Sequence, residues 1–213
     1  QIIKYVLWVM AIGLVFQSIG IDVTLLIAGS AALLVGLGFG LQYIFNDWIS
    51  GIILLVEGTI KVEDVVEVED GIVGRVKEIG LRTSKILTRE NIIMIVPNSK
   101  FVNDKVINWS HSLSTTRFDV AVGVAYGSDV QLVRKILLEC ANGHEDVAKE
   151  PAPFVRFKDF GNSSLDFQLF FWAQKAFIIE NIKSDIRFEI DKKFRENNVT
   201  IPFPQRDVHI KSR

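Results

Sequence analysis

Hydrophobic positions divide the chain into a first part that is almost free of charge and a second part where polar and apolar residues alternate. No charged side chain occurs in residues 5–21 or in residues 23–46, and Asp22 separates these two runs. A helix needs about 20 apolar residues to cross the hydrocarbon core of a bilayer. The pattern therefore predicts a membrane hairpin of two helices that turns at Gly20 and Asp22. A buried hairpin in the core of a soluble protein is the alternative.

Small residues are concentrated in the second apolar run, and the helical period of about 100° per residue assigns them to faces. One face carries Ala28, Ala31, Ala32, Val35, Phe39, Gln42 and Asn46. Gly29, Gly36 and Gly40 flank this face on one side, and Gly38 lies toward the other. Small residues let neighbouring membrane helices come close, so two small flanks favour a ring of identical helices. A dimer that packs through Gly36 and Gly40 is the alternative.

The remaining face of the second helix would point toward the axis of such a ring. Val35 and Phe39 are one turn apart on this face and predict a narrow apolar constriction, which can gate by dewetting. Gln42 and Asn46 continue the same line with polar groups and predict a wetter mouth. The apolar pattern continues through residues 45–57, where we expect a kinked continuation of the helix with Gly51 as a flexible hinge.

From Lys61 onward the hydrophobic period changes to two, which is typical of strands. A hairpin turn is predicted at Asp70-Gly71. The strands predicted after it are Ile72–Ile79, Leu81–Thr88 and Ile92–Val96. Short strands joined by tight turns suggest a small β-barrel or twisted sheet.

A second pattern begins at Thr115 and predicts an α+β unit. A capping box of Ser128 and Gln131 opens a helix to about Cys140. A longer helix covers residues 176–196, with one apolar side formed by Ile179, Ile182, Ile186, Ile190 and Phe194. The predicted strands are Phe118–Tyr126, Phe154–Phe160, Leu165–Trp172 and Val208–Lys211. The order β-α-β-β-α-β is the ferredoxin-like arrangement, and its two helices leave one sheet face for solvent or another subunit.

Charge and candidate chemistry exclude several classes of protein. The chain carries 24 basic and 25 acidic residues for a net charge of −1. This balance argues against a nucleic-acid-binding protein, in which basic residues are in excess. Its single cysteine, Cys140, excludes an internal disulfide, and the spacing of His111, His144 and His209 fits no metal site.

Two clusters of charge are explained better by polar strand edges than by a catalytic or an anion site. The acidic cluster is Glu63, Asp64, Glu67, Glu69 and Asp70, and the basic cluster is Arg75, Lys77, Arg82, Lys85 and Arg89. We therefore predict no catalytic residue, no cofactor, no metal and no enzyme activity.

Four segments follow one another at a characteristic spacing. They are Val35-Gly-Leu-Gly-Phe-Gly-Leu-Gln42, Val96-Pro-Asn-Ser-Lys100, Gly123-Val-Ala-Tyr-Gly-Ser-Asp129 and Ile201-Pro-Phe-Pro-Gln-Arg-Asp-Val208. In this order they resemble the small-conductance mechanosensitive channel family (MscS-like channels). The resemblance covers about Thr24 to Ile210. It implies a membrane α-helical hairpin with a pore-lining helix, followed by a small Sm-like β domain and a ferredoxin-like α+β domain. The expected divisions are residues 1–58 with the pore helix at 23–57, residues 59–111 and residues 112–213.

The resemblance also implies how the protein works. It implies a homoheptamer in contact with membrane lipids, in the bacterial inner membrane or an organelle membrane of similar origin, with its C-terminal domains in the cytoplasm. Membrane tension would open the pore and release ions and small solutes on osmotic downshock. The apolar pore rings fall on Val35 and Phe39, and the sliding surfaces on Ala31, Ala32, Gly36, Gly38 and Gly40. Further membrane helices are expected before Gln1.

Two points stay open at this stage. Tyr43 stands where the best-known members carry a glycine after the glutamine, so the bend could lie at Tyr43, Asn46 or Gly51. The second hypothesis for the function is a membrane-anchored oligomeric scaffold or sensor that binds a ligand or partner without ion flux. The polar line of Gln42 and Asn46 favours the channel, because a scaffold has no need of a wet mouth.

Overall fold

Two N-terminal helices precede two small sheet domains. The computed structural model describes residues 1–68, 71–110 and 115–206, without the side chains of Ile2 and Leu25. Helix α1 spans Ile2–Ser18 and helix α2 spans Thr24–Glu57. Their connection lies at the predicted residues: Gly20 has a φ of 82°, and Asp22 Oδ1 accepts the N–H of Thr24 at 2.8 Å.

Helix α2 has two environments along its length. Residues 26–46 are exposed throughout, whereas Ser50, Gly51 and Leu54 near its end are buried. In the part of the chain that the structure describes, one helix, Leu26–Glu57, is long and apolar enough to cross a membrane. Ile3–Ser18 is a shorter apolar helix. The predicted continuation through residues 45–57 is confirmed as uninterrupted helix, and the kink stays a prediction.

The first sheet domain has an antiparallel sheet of five described strands in the order β4-β3-β2-β1-β5. Its elements are β1 (Val65–Val68), β2 (Ile72–Ile79), β3 (Thr83–Thr88), β4 (Ile93–Pro97), α3 (Asn98–Asn103) and β5 (Ile107–Asn108). Leu54 of α2 belongs to its core, so the end of the helix is part of this domain. The other buried core residues are Ile60, Val66, Val76, Ile86, Val96 and Phe101.

Two details of this sheet differ from the sequence expectation. The strand predicted over Leu81–Thr88 begins at Thr83, because residues 80–83 form the turn between β2 and β3, in which the N–H of Gly80 donates to the carbonyl of Thr83 at 3.0 Å. β1 and β2 form the predicted hairpin, and Gly71 has a φ of 73°. Glu69 and Asp70 lie outside the described residues.

The second sheet domain has three described strands in the order β6-β8-β7. Its elements are β6 (Thr116–Val124), α4 (Val130–Gly143), β7 (Phe154–Phe160), β8 (Leu165–Ala173), a 3-10 turn (Ala176–Ile178) and α5 (Ile179–Glu196). The predicted apolar side of α5 is confirmed, because all five of its residues are buried. The predicted strand Val208–Lys211 lies outside the described residues. The domain division at residues 58 and 111 stays a prediction.

The capping box predicted for α4 is wrong. Asp129, not Ser128, caps this helix, and its Oδ1 accepts the N–H groups of Gln131 at 2.8 Å and Leu132 at 3.2 Å. A carboxylate that accepts two free N–H groups at a helix N-terminus also interacts favourably with the helix dipole. The helix therefore begins one residue later than the Ser128 box required.

Candidate functional site

The residues of the predicted constriction lie on the exposed half of α2. Val35 is 58% and Phe39 is 70% exposed. Gln42 and Asn46 are exposed as well and follow on the same side of the helix. Four residues of helix advance about 6 Å, so the constriction would consist of two apolar layers at successive turns. A single chain leaves this side of α2 open.

The predicted packing residues are exposed too. A Cβ added at Gly36, Gly38 or Gly40 would have no neighbouring atom within 4 Å among the described residues. Ala31 and Ala32 are equally exposed. Contacts among the described residues therefore do not explain the small residues at these positions, and their surfaces are open to neighbours outside the chain.

Gly51 has a different environment from the other glycines of α2. A Cβ at this position would collide with the carbonyl oxygen of Leu81 and would lie 2.5 Å from Nδ2 of Asn98. The helix backbone therefore approaches the loop between β2 and β3 at a distance that only glycine permits. The structure places the candidate hinge at the contact between α2 and the β domain.

Asn98 organises the other side of this contact and is completely buried. Its Nδ2 donates to the carbonyls of Gly80 at 2.9 Å and Leu81 at 3.0 Å, and its Oδ1 accepts the hydroxyl of Ser84 at 2.7 Å. Its backbone N–H donates to the carbonyl of Arg82 at 2.9 Å. The buried side-chain amide of Asn98 thus has hydrogen-bond partners for both its nitrogen and its oxygen, and it ties Gly80, Leu81 and Ser84 to the start of α3.

Sequence reasoning identified the segment Val96–Lys100 only as a motif and missed the role of Asn98. The available signal was a polar amide directly after a strand that ends in Pro97. A second contact lies beside it, where the N–H of Ser99 donates to Asp47 Oδ1 at 3.4 Å. Two points of α2, Asp47 and Gly51, are therefore attached to the start of α3 and the neighbouring loop.

The candidate chemical groups elsewhere are engaged in structural contacts. Burial raises the pKa of the Cys140 thiol to about 11, which is the opposite of an activated nucleophile. His144 Nδ1 accepts the N–H of Asp146 at 3.1 Å, and its Nε2 lies 3.6 Å from Asp185 Oδ2. Among residues 1–68, 71–110 and 115–206, no three His, Cys, Asp or Glu side chains are grouped to hold a metal. His111 and His209 lie outside those ranges.

Acidic and basic residues of the first sheet domain pair with each other. Lys77 Nζ donates to Glu63 Oε1 at 2.8 Å, and Arg75 Nη1 lies 3.5 Å from Glu63 Oε2. The hydrogen bond from Lys77 lowers the pKa of the Glu63 carboxyl. Lys85 pairs in the same way with Glu78 at 2.7 Å. These contacts engage three of the five residues of the basic cluster, Arg75, Lys77 and Lys85, and Glu63 of the acidic cluster.

Three family models match consecutive parts of the chain. Residues 1–42 match the model described as mechanosensitive ion channel, transmembrane helices 2/3. Residues 43–111 match mechanosensitive ion channel, beta-domain, and residues 118–201 match mechanosensitive ion channel MscS, C-terminal.

Curated relatives agree with these matches. The mechanosensitive channel MscK of Escherichia coli K12 is 38% identical over 209 residues, which are 98% of this chain and 19% of that protein. A MscS family protein of Haemophilus influenzae is 41% identical over 182 residues, which are 85% of this chain and 16% of that protein. A MscS family protein of Synechocystis is 31% identical over 206 residues, which are 97% of this chain and 69% of that protein. The chain thus spans less than a fifth of the first two relatives.

Solved structures share the fold. The crystal structure of Helicobacter pylori MscS in its closed state has a TM-score of 0.84 at 26% identity, covering 99% of this chain and 83% of that one. The cryo-EM structure of Arabidopsis thaliana MSL1 has a TM-score of 0.69 at 18% identity, covering 94% of this chain and 74% of that one. At 18% identity, the similarity to MSL1 shows a shared fold alone.

Proposed function

The chain belongs to the MscS family of mechanosensitive channels, and from this premise we propose that it forms the pore-containing part of a channel that membrane tension opens. One observation carries the proposal. Helix α2 runs without a break from an exposed apolar half of membrane length into a final part where Ser50, Gly51 and Leu54 are buried at the β domain. A movement of the helix within the membrane is thereby linked to the domain outside it.

Val35 and Phe39 form the gate in this proposal. Repeated around a ring axis, their apolar side chains enclose a space that water leaves, and ions cannot cross a dewetted constriction. Gln42 and Asn46 line the mouth on the side of the β domain, where water is stable against polar groups. Ions and small solutes pass when the ring widens.

Seven identical chains form the ring in this proposal. Small residues on both flanks of α2 support a ring of identical helices, because each helix in a ring needs two close neighbours. Ala31, Ala32, Gly36, Gly38 and Gly40 are the surfaces over which neighbouring helices slide. Membrane lipids surround the assembly and transmit the tension.

Gly51 is the proposed hinge of α2. Bending at this residue would carry the first half of the helix away from the loop that contains Leu81, while Asn98 would hold the loop itself in place.

We place the protein in the bacterial inner membrane with its two sheet domains in the cytoplasm. A chain of this family gives no reason to propose an enzymatic reaction.

Recording from the full-length protein in liposome patches under suction tests the proposal. We expect stepwise currents that appear above a threshold of suction and disappear when it is released. Protein-free patches from the same lipid serve as the control. Silence at every tension up to rupture of the membrane would overturn the channel assignment.

A further inference from the structure

Arg89 lies in the turn between β3 and β4 and reaches into the second sheet domain. Its Nε donates to the carbonyl of Phe177 at 3.0 Å, and its Nη2 donates to the carbonyl of Ala176 at 3.1 Å. Both carbonyls belong to the 3-10 turn that precedes α5. The planar guanidinium presents its donors as a rigid fork, and two adjacent carbonyls are a fitting pair of acceptors.

The same guanidinium contacts two further parts of the molecule. It lies 5.5 Å from the ring centre of Trp109, at the start of the connection between the domains, and its Nη1 lies 3.8 Å from Glu180 Oε1 in the first turn of α5. Arg75 on β2 adds a cation–π contact, 4.6 Å from the ring centre of Phe177. Only 23% of the Arg89 side chain is exposed, so water competes little for its donors.

Apolar contacts also cross this boundary. Val65 of β1 is buried in the core of the second sheet domain, and Val73 of β2 packs against that core. Apolar contact has no preferred direction, so these residues hold the domains together without setting the angle between them. Hydrogen bonds depend on direction, and the fork of Arg89 is fixed to two carbonyls at once.

We propose that Arg89 is an interdomain latch that sets the orientation of the second sheet domain relative to the first. The latch consists of Arg89 with the carbonyls of Ala176 and Phe177 and the ring of Trp109. The sequence pattern offered solvent-facing strand edges or an anion site for this arginine, and its contacts with neutral carbonyls fit neither. The inference concerns only the two sheet domains and does not depend on the proposed channel activity.

Hydrogen–deuterium exchange of the full-length protein, followed by mass spectrometry, tests the latch. In Arg89→Gln we expect exchange to rise about tenfold in the peptides covering residues 88–92 and 174–180, the scale of one or two lost hydrogen bonds. Exchange in the peptide covering residues 165–173 should stay unchanged, because β8 has lost no partner. The matched control is Arg82→Gln, an exposed arginine of the same domain, which should behave as the wild type.

Two more variants separate a latch from a charge effect. Arg89→Lys keeps the charge near Glu180 but loses the fork, so it should exchange like Arg89→Gln. Glu180→Gln should have little effect, because that carboxylate is exposed and surface ion pairs contribute little. The latch is refuted if residues 174–180 exchange at the wild-type rate in both Arg89 variants. It is equally refuted if β8 exchanges faster in both of them, since Arg89 would then support folding in general.

Discussion

Phe39 and Val35 are the residues on which gating depends in the proposed channel, and the case for them is physical. Each is an exposed apolar side chain on one side of an uninterrupted helix. In a closed ring such side chains exclude water, and a single polar replacement per subunit is repeated in every copy. Substitutions here should therefore have large effects on opening and small effects on folding.

We expect Phe39→Ser to lower the suction needed for opening, because a hydroxyl ring wets the constriction. Patch recording of the threshold is the measurement. Leu37→Ser is the matched control, since it makes a similar change on the opposite side of α2. Equal shifts in the two variants, or none in Phe39→Ser, would count against Phe39 as part of the gate.

Gly51 offers a test of stability at the junction. We expect Gly51→Ala to lower the free energy of unfolding by about 1–3 kcal/mol, because the added Cβ collides with the Leu81 carbonyl and overpacks a close contact. Gly143→Ala is the control, as nothing lies within 4 Å of its Cβ position. Thermal unfolding of the full-length protein compares them, and identical melting temperatures would contradict the close approach.

At the scale of elements, α2 is longer than a bilayer is thick. Its 34 residues extend about 51 Å, whereas the hydrocarbon core is about 30 Å. The last part of the helix must therefore lie outside the core, and there it buries Leu54 in the β domain. One helix thus belongs to the membrane at its start and to a sheet domain at its end.

The start of α4 gives a prediction at the same scale. We expect Asp129→Ala to cost about 1 kcal/mol of stability, because two helix N–H groups lose their acceptor. Ser128→Ala should change stability far less, although Ser128 is the residue that the sequence pattern favoured. Chemical denaturation of both variants measures which residue caps the helix. A larger loss of stability in Ser128→Ala than in Asp129→Ala would support the capping box at Ser128.

At the scale of the whole molecule, the exposed apolar half of α2 is a surface for lipid or for neighbouring chains. Residues 26–46 are all exposed within the described part of the chain. In the proposed assembly the two small flanks contact two different neighbours, and heterologous contacts of this kind form a ring when the rotation between copies closes. In the proposed ring, lipid covers the outer side and the side with Val35 and Phe39 faces the axis.

Native mass spectrometry of the full-length protein in lipid nanodiscs measures the number of copies. We expect seven, and we expect Gly36→Leu to reduce assembly because a bulky side chain separates neighbouring helices. Gly13→Leu on α1 is the control outside the small-residue flanks. A complex of two copies would contradict the ring and favour the packing of Gly36 against Gly40.

Much of the fold could be predicted because it depends on local periodicity. The run without charges at residues 23–46 predicted a membrane-length helix, and the period of two predicted β2, β7 and β8 within a residue of their ends. The apolar side of α5 followed from a spacing of three and four residues. The candidate pore residues were placed on one side of α2 by the same geometry, and their role in a ring stays a prediction.

The sequence by itself determined the order of membrane helices, β domain and α+β domain, since burial in lipid or in a sheet imposes a period that neighbouring residues must share. Only the tertiary structure decided that Gly51 meets Leu81 and Asn98, and that Arg89 holds the carbonyls of Ala176 and Phe177. Those contacts join residues that are far apart along the chain. No local period encodes them, because they exist only once the elements have packed.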